Sequence, residues 1–243
     1  MMPMDATMMH MPMSVQLILA HGAKVYPDSR VGAFDGDSVH WVSYAEIASN
    51  AGRLAGALKS LGVNAGDRVG TFSWNNCAHL EAYMAIPSMG AVMHTVNIRL
   101  SPEQVAYVIN HAEDRVLILD GSPLELFEPV LPLLETVEHI LLVGAEAEEL
   151  GGIPAGNYEA ALAAHASDYA WPLLDETSAA AVCYTSGTTG NPKGVVYSHR
   201  TTYVHSLASR ATDTFGINER DRILLLPPMF HANSWGLPYS GWM

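Results

Sequence analysis

The chain has 243 residues, enough for one large domain or two small ones, and 49% of them are hydrophobic, which excludes wholesale disorder. Lys plus Arg number 12 against 25 Asp plus Glu, a formal charge of −13, which argues against nonspecific binding to nucleic acid or to an anionic membrane surface. The two cysteines, Cys77 and Cys183, lie in apolar surroundings without a Cys-x-x-Cys spacing, so they read as buried free thiols in a reducing, cytoplasmic compartment.

Met1, Met2, Met4, Met8, Met9, Met11 and Met13 crowd the start without a basic stretch, so residues 1–13 read as a disordered lead rather than a secretory signal. Val15–Gly22 reads as a short helix closed by Gly22. Residues 33–42 read as a hairpin turning at Asp35-Gly36-Asp37. Ser43 and Glu46 form a capping box for a helix whose apolar face is Ile47, Ala51, Leu54, Leu58 and Leu61. A strand at Arg68–Ser73, an apolar helix from about Ala78 to Met89 and a strand at Ala91–Asn97 follow. Ser101-Pro102-Glu103-Gln104 opens the next helix, and Val116–Leu119 is a buried strand. A Leu-rich helix over Leu124–Leu134 and a strand at Ile140–Val143 complete this part. Residues 144–174 read as a peripheral linker with one short helix near Tyr158–His165. No apolar run reaches the length of a membrane span. The alternation of strands and helices predicts a layered α/β fold with parallel-rich sheets flanked by helices.

The most informative stretch lies between two strand-like runs, Ala179–Tyr184 and Gly194–Ser198. It is Thr185-Ser186-Gly187-Thr188-Thr189-Gly190-Asn191-Pro192-Lys193. Glycines let backbone come close to a ligand, and N–H groups, hydroxyls and one lysine can converge on an anion. It is not the Walker loop, which needs Gly-Lys-Ser/Thr leading directly into a helix. Beyond it, Thr201–Phe215 reads as a helix stopped by Gly216, and Ile223–Leu226 as a buried strand broken by Pro227-Pro228. A strand that ends in Pro-Pro and is followed by His231 and Trp235 reads as a wall of a ligand site.

The string Thr-Ser-Gly-Thr-Thr-Gly-x-Pro-Lys-Gly, followed by Pro228-Met229-Phe230-His231, resembles the adenylate-forming superfamily. Gly194–Arg200 together with Pro228–Tyr239, and upstream His79–Tyr83 and Gly90–Pro102, are similar to its long- and medium-chain fatty acyl-CoA synthetases. The resemblance implies ATP-dependent conversion of a fatty acid to acyl-AMP and then acyl-CoA, with magnesium as cofactor and coenzyme A as second substrate. It implies phosphate binding by Thr185, Ser186, Gly187, Thr188, Thr189, Gly190 and Lys193, with Thr185 near the metal. It implies that His231 and Ala232 line the adenylate and carboxylate, and that Trp235 gates an acyl tunnel. No protein nucleophile is implied. Residues 14–243 then correspond to part of an N-terminal AMP-binding domain, without the C-terminal half and small mobile domain of that family, and a partial chain of this kind is expected to be inactive alone. The resemblance allows a homodimer. Two other readings stand beside it: an adenylating enzyme for another carboxylic acid, and a non-catalytic partner or dimerisation module.

Overall fold

The computed structural model describes residues 7, 8, 10–34, 36–185 and 190–243. The N-terminal helix α1 (Val15–Val25) leads into an antiparallel hairpin, β1 (Arg30–Phe34) and β2 (Val39–Ser43). Helix α2 (Tyr44–Ser60) starts at the expected box: the Ser43 hydroxyl accepts from the Glu46 amide at 3.2 Å, and the Glu46 carboxylate accepts from the Ser43 amide at 2.9 Å. Then come β3 (Arg68–Phe72), α3 (Cys77–Ser88), β4 (Val92–Thr95), α4 (Pro102–Ala112) and β5 (Asp114–Asp120). They are followed by α5 (Leu124–Phe127), β6 (His139–Val143), β7 (Glu149–Leu150), β8 (Ile153–Asn157) and α6 (Tyr158–Ala163). The last third holds β9 (Ala179–Thr185), β10 (Lys193–Ser198), α7 (His199–Ser209) and α8 (Leu237–Trp242).

One eight-stranded sheet runs β10-β9-β4-β3-β5-β6-β8-β7. Its inner strands are parallel, and only β10 and β7 at the edges are antiparallel. Successive strand residues point to opposite faces. Val116 and Ile118 of β5 therefore join a core with α1, α2, α3 and α6, while Leu117 and Leu119 join a second core with α4 and α5. Both faces are covered, which is why β5 is apolar without alternation.

Right-handed crossovers place α3 and α4 on opposite faces, because the chain steps from β3 to β4 on one side and then back across β3 to β5. The loops leaving β3 and β4 thus diverge and open a crevice at the carboxyl ends of the two strands.

Several expectations are corrected. Gly22 does not end α1; it lies inside it, and a Cβ there would meet the Trp242 ring at 2.3 Å, so glycine admits Trp242. The Leu-rich helix stops at Phe127, with a separate 3₁₀ turn at Leu131–Leu133, because Pro129 and Pro132 lack the amide a helix interior needs. Residues 144–174 are not a linker alone: β8 extends the sheet parallel to β6 despite Pro154 and Gly156. Helix α7 ends at Ser209, where the Thr214 hydroxyl lies within hydrogen-bond reach of the carbonyls of Ala208, Ser209 and Ala211. Ile223–Leu226 forms no strand and pairs with none among the described residues; Leu224 is 80% exposed. Among the described residues no helix is long and apolar enough to cross a membrane.

Candidate functional site

Strands β9 and β10 form a hairpin in which Thr185 faces Lys193 and Tyr184 faces Gly194. Ser186, Gly187, Thr188 and Thr189, expected to bind phosphate, lie outside the described residues. The two ends of the loop are described. Gly190 has φ +113°, a conformation that L side chains rarely adopt. Thr185 and Lys193 are exposed, and the Thr185 hydroxyl makes one long bond to the Lys193 carbonyl, 3.5 Å. Its lone pairs are therefore open to a ligand.

The stem of the hairpin is braced from the α4 side. The Tyr184 hydroxyl lies 2.7 Å from His111 Nδ1, and its ring packs on His94 at 5.1 Å between centroids. His94 Nδ1 is in turn 2.6 Å from Asp114 Oδ2, both fully buried. Burial pushes the Asp114 carboxyl up, against the pull of His94 and Arg68. Gly70 makes room for that carboxylate, since a Cβ there would come within 2.8 Å of Asp114 Oδ2.

The segment carrying the second motif is folded into the crevice between β3 and β4. Phe230 is buried, edge-on to Trp74 at 5.7 Å, with the Arg99 guanidinium over its ring. From His231 the chain enters a 3₁₀ turn, Ala232–Gly236, in contact with β9. Ala232, Asn233, Ser234 and Trp235 all have left-handed φ, from 46° to 56°. For L-residues other than Gly each such step costs roughly 1–2 kcal/mol, and Asn tolerates it best. Side-chain tethers hold the turn there. The Thr95 hydroxyl donates to Asn233 Oδ1 at 3.0 Å, Ser234 Oγ donates to the Pro227 carbonyl at 2.7 Å, and His205 Nε2 donates to the Trp235 carbonyl at 2.9 Å. Asn75 and the Tyr83 hydroxyl bind the main chain of Met229.

His231 is exposed and Trp235 is 58% exposed, so neither is a core residue; Ala232 is half-buried. The structure thus brings the turn of His231, Ala232 and Trp235 to the end of the sheet where β9 opens into the loop bounded by Thr185, Gly190 and Lys193. Sequence reasoning missed Asn75, Thr95 and Asn233, which join the turn to the sheet. A signal existed for the first: Trp74-Asn75-Asn76 places paired amides directly after a strand.

A loop of small, hydroxyl-bearing and basic residues thus follows the carboxyl end of a parallel strand, beside a turn seated at the end of the neighbouring strand of an α/β sheet. The chain belongs to the family described as AMP-binding enzyme, which it matches over residues 19–243. It is 43% identical over 236 residues to the 3-methylmercaptopropionyl-CoA ligase of Ruegeria lacuscaerulensis, covering 96% of this chain and 44% of that protein. It is 48% identical over 202 residues to the long-chain-fatty-acid–CoA ligase of Thermus thermophilus, covering 83% and 36%. The chain spans less than half the length of these curated relatives. Its fold is that of a long-chain-fatty-acid-CoA ligase from Archaeoglobus fulgidus, with TM-score 0.80 at 21% identity over 99% of this chain and 47% of that one. The N-terminal domain of FACL13 from Mycobacterium tuberculosis gives 0.77 at 24% identity over 95% and 55%.

Proposed function

We propose that this chain carries the phosphate-loop and acyl-side portion of an AMP-forming acid–CoA ligase. In the first step the acid carboxylate attacks the α-phosphate of ATP; a carboxyl O–P bond forms, the α–β phosphoanhydride bond breaks and pyrophosphate leaves. In the second the CoA thiol attacks the acyl carbon, giving the thioester and AMP. The observation that carries the reading is the Thr95–Asn233 bond, which seats the second motif at the end of β4 while β9, its neighbour, leads into the loop.

Thr185, Ser186, Gly187, Thr188, Thr189, Gly190 and Lys193 would bind the polyphosphate through amides, hydroxyls and one ammonium. His231 and Ala232 would border the carboxylate and adenylate, with Trp235 at the mouth of the acyl channel. Among the described residues no group of three His, Cys, Asp or Glu is placed to hold a metal. Of the residues in this chain, Thr185 would hold magnesium through its hydroxyl, a hard oxygen donor that suits it. When bound it would offset the charge of the phosphate oxygens.

The acid is a fatty acid in the reading we favour, supported by the fatty-acid ligases among the relatives. A short thioether acid is the second reading, favoured by 43% identity across 96% of the chain to a 3-methylmercaptopropionyl-CoA ligase. Titration of Mg–ATP into the chain tests the site, and saturable binding is expected; its absence overturns the reading for this chain. Acid-dependent pyrophosphate release tests the acid. A rate that climbs with alkyl length supports the first reading, a preference for 3-(methylthio)propanoate the second, and a preference for benzoates or amino acids neither.

A further inference from the structure

The loop between β3 and α3 reaches the second motif from a distant part of the chain. Asn75 spends its whole side-chain amide on main chain of the 225–229 segment. Its Oδ1 accepts from the Met229 amide at 2.7 Å, and its Nδ2 donates to the carbonyls of Leu225 at 3.0 Å and Pro227 at 3.2 Å. That segment has no strand neighbour among the described residues; Leu226 is exposed, while Met229 is buried and Leu225 packs against the core, so polar bonds fix the main chain that these two side chains anchor. The Pro227 carbonyl is shared: it also accepts from Ser234 Oγ, one residue before Trp235. Asn75 and the turn therefore grip the same atom.

The residues on either side of Asn75 are held. The buried Asp120 carboxylate, at the end of β5, accepts from Ser73 Oγ, the Trp74 amide and Asn76 Nδ2 on one oxygen, and from the amide and hydroxyl of Ser122 on the other. His79 Nδ1 donates to the Trp74 carbonyl at 2.9 Å, and the His79 amide donates to Asn76 Oδ1 at 2.8 Å. We propose that Asn75 is a positioning residue: it sets where the 229–235 turn, with His231 and Trp235, sits against the end of β4, and Asp120 keeps Asn75 in register. The functional meaning rests on the reading of that turn as the acyl side of the site. Only an amide supplies donor and acceptor together here; aspartate keeps the acceptor and loses the donor.

The test is fluorine NMR of the whole chain labelled with 5-fluorotryptophan, whose five tryptophans give separate probes. The Trp235 line is assigned with Trp235→Phe. In Asn75→Ala the Trp235 line is expected to shift or broaden while the Trp41 and Trp242 lines stay in place. The octanoate concentration needed to perturb the Trp235 line is expected to rise about tenfold. Asn75→Asp and Asp120→Asn are expected to move the same line in the same direction by less, and they decide the matter if Asn75→Ala does not fold. A folded variant whose Trp235 line matches the wild type overturns the proposal, as does a uniform change in all lines, which marks a purely structural role. If octanoate leaves the wild-type spectrum unchanged, the acyl reading fails, while the ligand-free Trp235 shift still decides the positioning.

Discussion

Val116-Leu117-Ile118-Leu119 and Ile223-Leu224-Leu225-Leu226 are nearly the same apolar tetrapeptide, and the chain treats them differently. The first is the middle of β5, paired with β3 on one side and β6 on the other, and its side chains enter two cores. The second is irregular, with Leu224 80% and Leu226 76% exposed. Composition cannot separate them. A strand exists where neighbours satisfy its amides and carbonyls, and the second run has no strand beside it among the described residues. The contrast extends to the surroundings. Up to β9, helices on both faces cover the sheet; after it, Val195, Val196, Val204, Leu207 and Phe215 stay exposed. Polar tethers at Asn75, Thr95 and Ser234 fix the main chain of a turn that buried Met229 and Phe230 anchor.

The largest expected effect tests the buried half of this comparison. Leu117 is fully buried in β5, so Leu117→Ala loses transfer energy and leaves a cavity. A destabilisation of about 2–5 kcal/mol is expected, read from the shift of the urea midpoint. A loss below about 0.5 kcal/mol, the range of ordinary surface positions, would mean that Leu117 of β5 is not packed in a core.

Acid should act next most strongly, through two histidines kept neutral. His79 donates from Nδ1 to the Trp74 carbonyl and accepts at Nε2 from the Thr71 hydroxyl, 3.0 Å away, and burial pushes its pKa down to about 4. His199 accepts the Val15 amide at Nδ1, joining α7 to α1, and burial takes it to about 4 as well. Each has a folded pKa below the ordinary 6.5, so the unfolded chain binds more protons between those values. Stability is therefore complete above the ordinary value and falls as pH drops from there towards 4, by about 3 kcal/mol for His79 alone. Urea midpoints measured across that window check this, with His79→Gln flattening the slope. A flat profile in the wild type would mean that these imidazoles are open to water.

What could be read in advance follows the same division. The capping box of α2, the cap of α4 at Ser101 and the strand runs Ala179–Tyr184 and Gly194–Ser198 were legible because each is a pattern among near neighbours. Strand β8 was not, since Pro154 and Gly156 carry little strand signal and its place is fixed by pairing with β6. The tethers of the second motif were least legible. Thr95 meets Asn233 across 138 positions and Asn75 meets Met229 across 154, and only the course of the sheet brings them together. His231 and Trp235 were singled out through their motif, while Thr95 and Asn233, which hold the turn, carried no local mark.

A third prediction moves to the exposed side, where substitution should change binding and spare the fold. Lys193 is exposed at the start of β10. Lys193→Ala is expected to shift stability by less than about 0.5 kcal/mol. It should weaken Mg–ATP binding about tenfold or more, the scale of one charge-assisted hydrogen bond. Calorimetric titration beside a thermal melt separates the two. Equal affinities would take Lys193 out of the phosphate site; a large drop in melting temperature would make it a structural residue of the hairpin.

The smallest expected effect is the one that most directly challenges the comparison. Leu224→Ser alters an exposed side chain in a run that has no strand partner among the described residues. A stability change within about 0.5 kcal/mol is expected, against several for Leu117→Ala. The amides of Ile223 and Leu224 should exchange with deuterium rapidly, while those of Val116 to Leu119 persist until global unfolding. Exchange resolved by peptide reads both runs in one experiment. If Leu224→Ser costs as much as Leu117→Ala, or if its amides are protected, the leucines are covered in solution and the two runs belong to one class. If exchange is fast at Ile223 and Leu224 but slows abruptly at Met229, where Asn75 takes the amide, the boundary between a run left without a strand partner and a turn held by tethers falls at that residue.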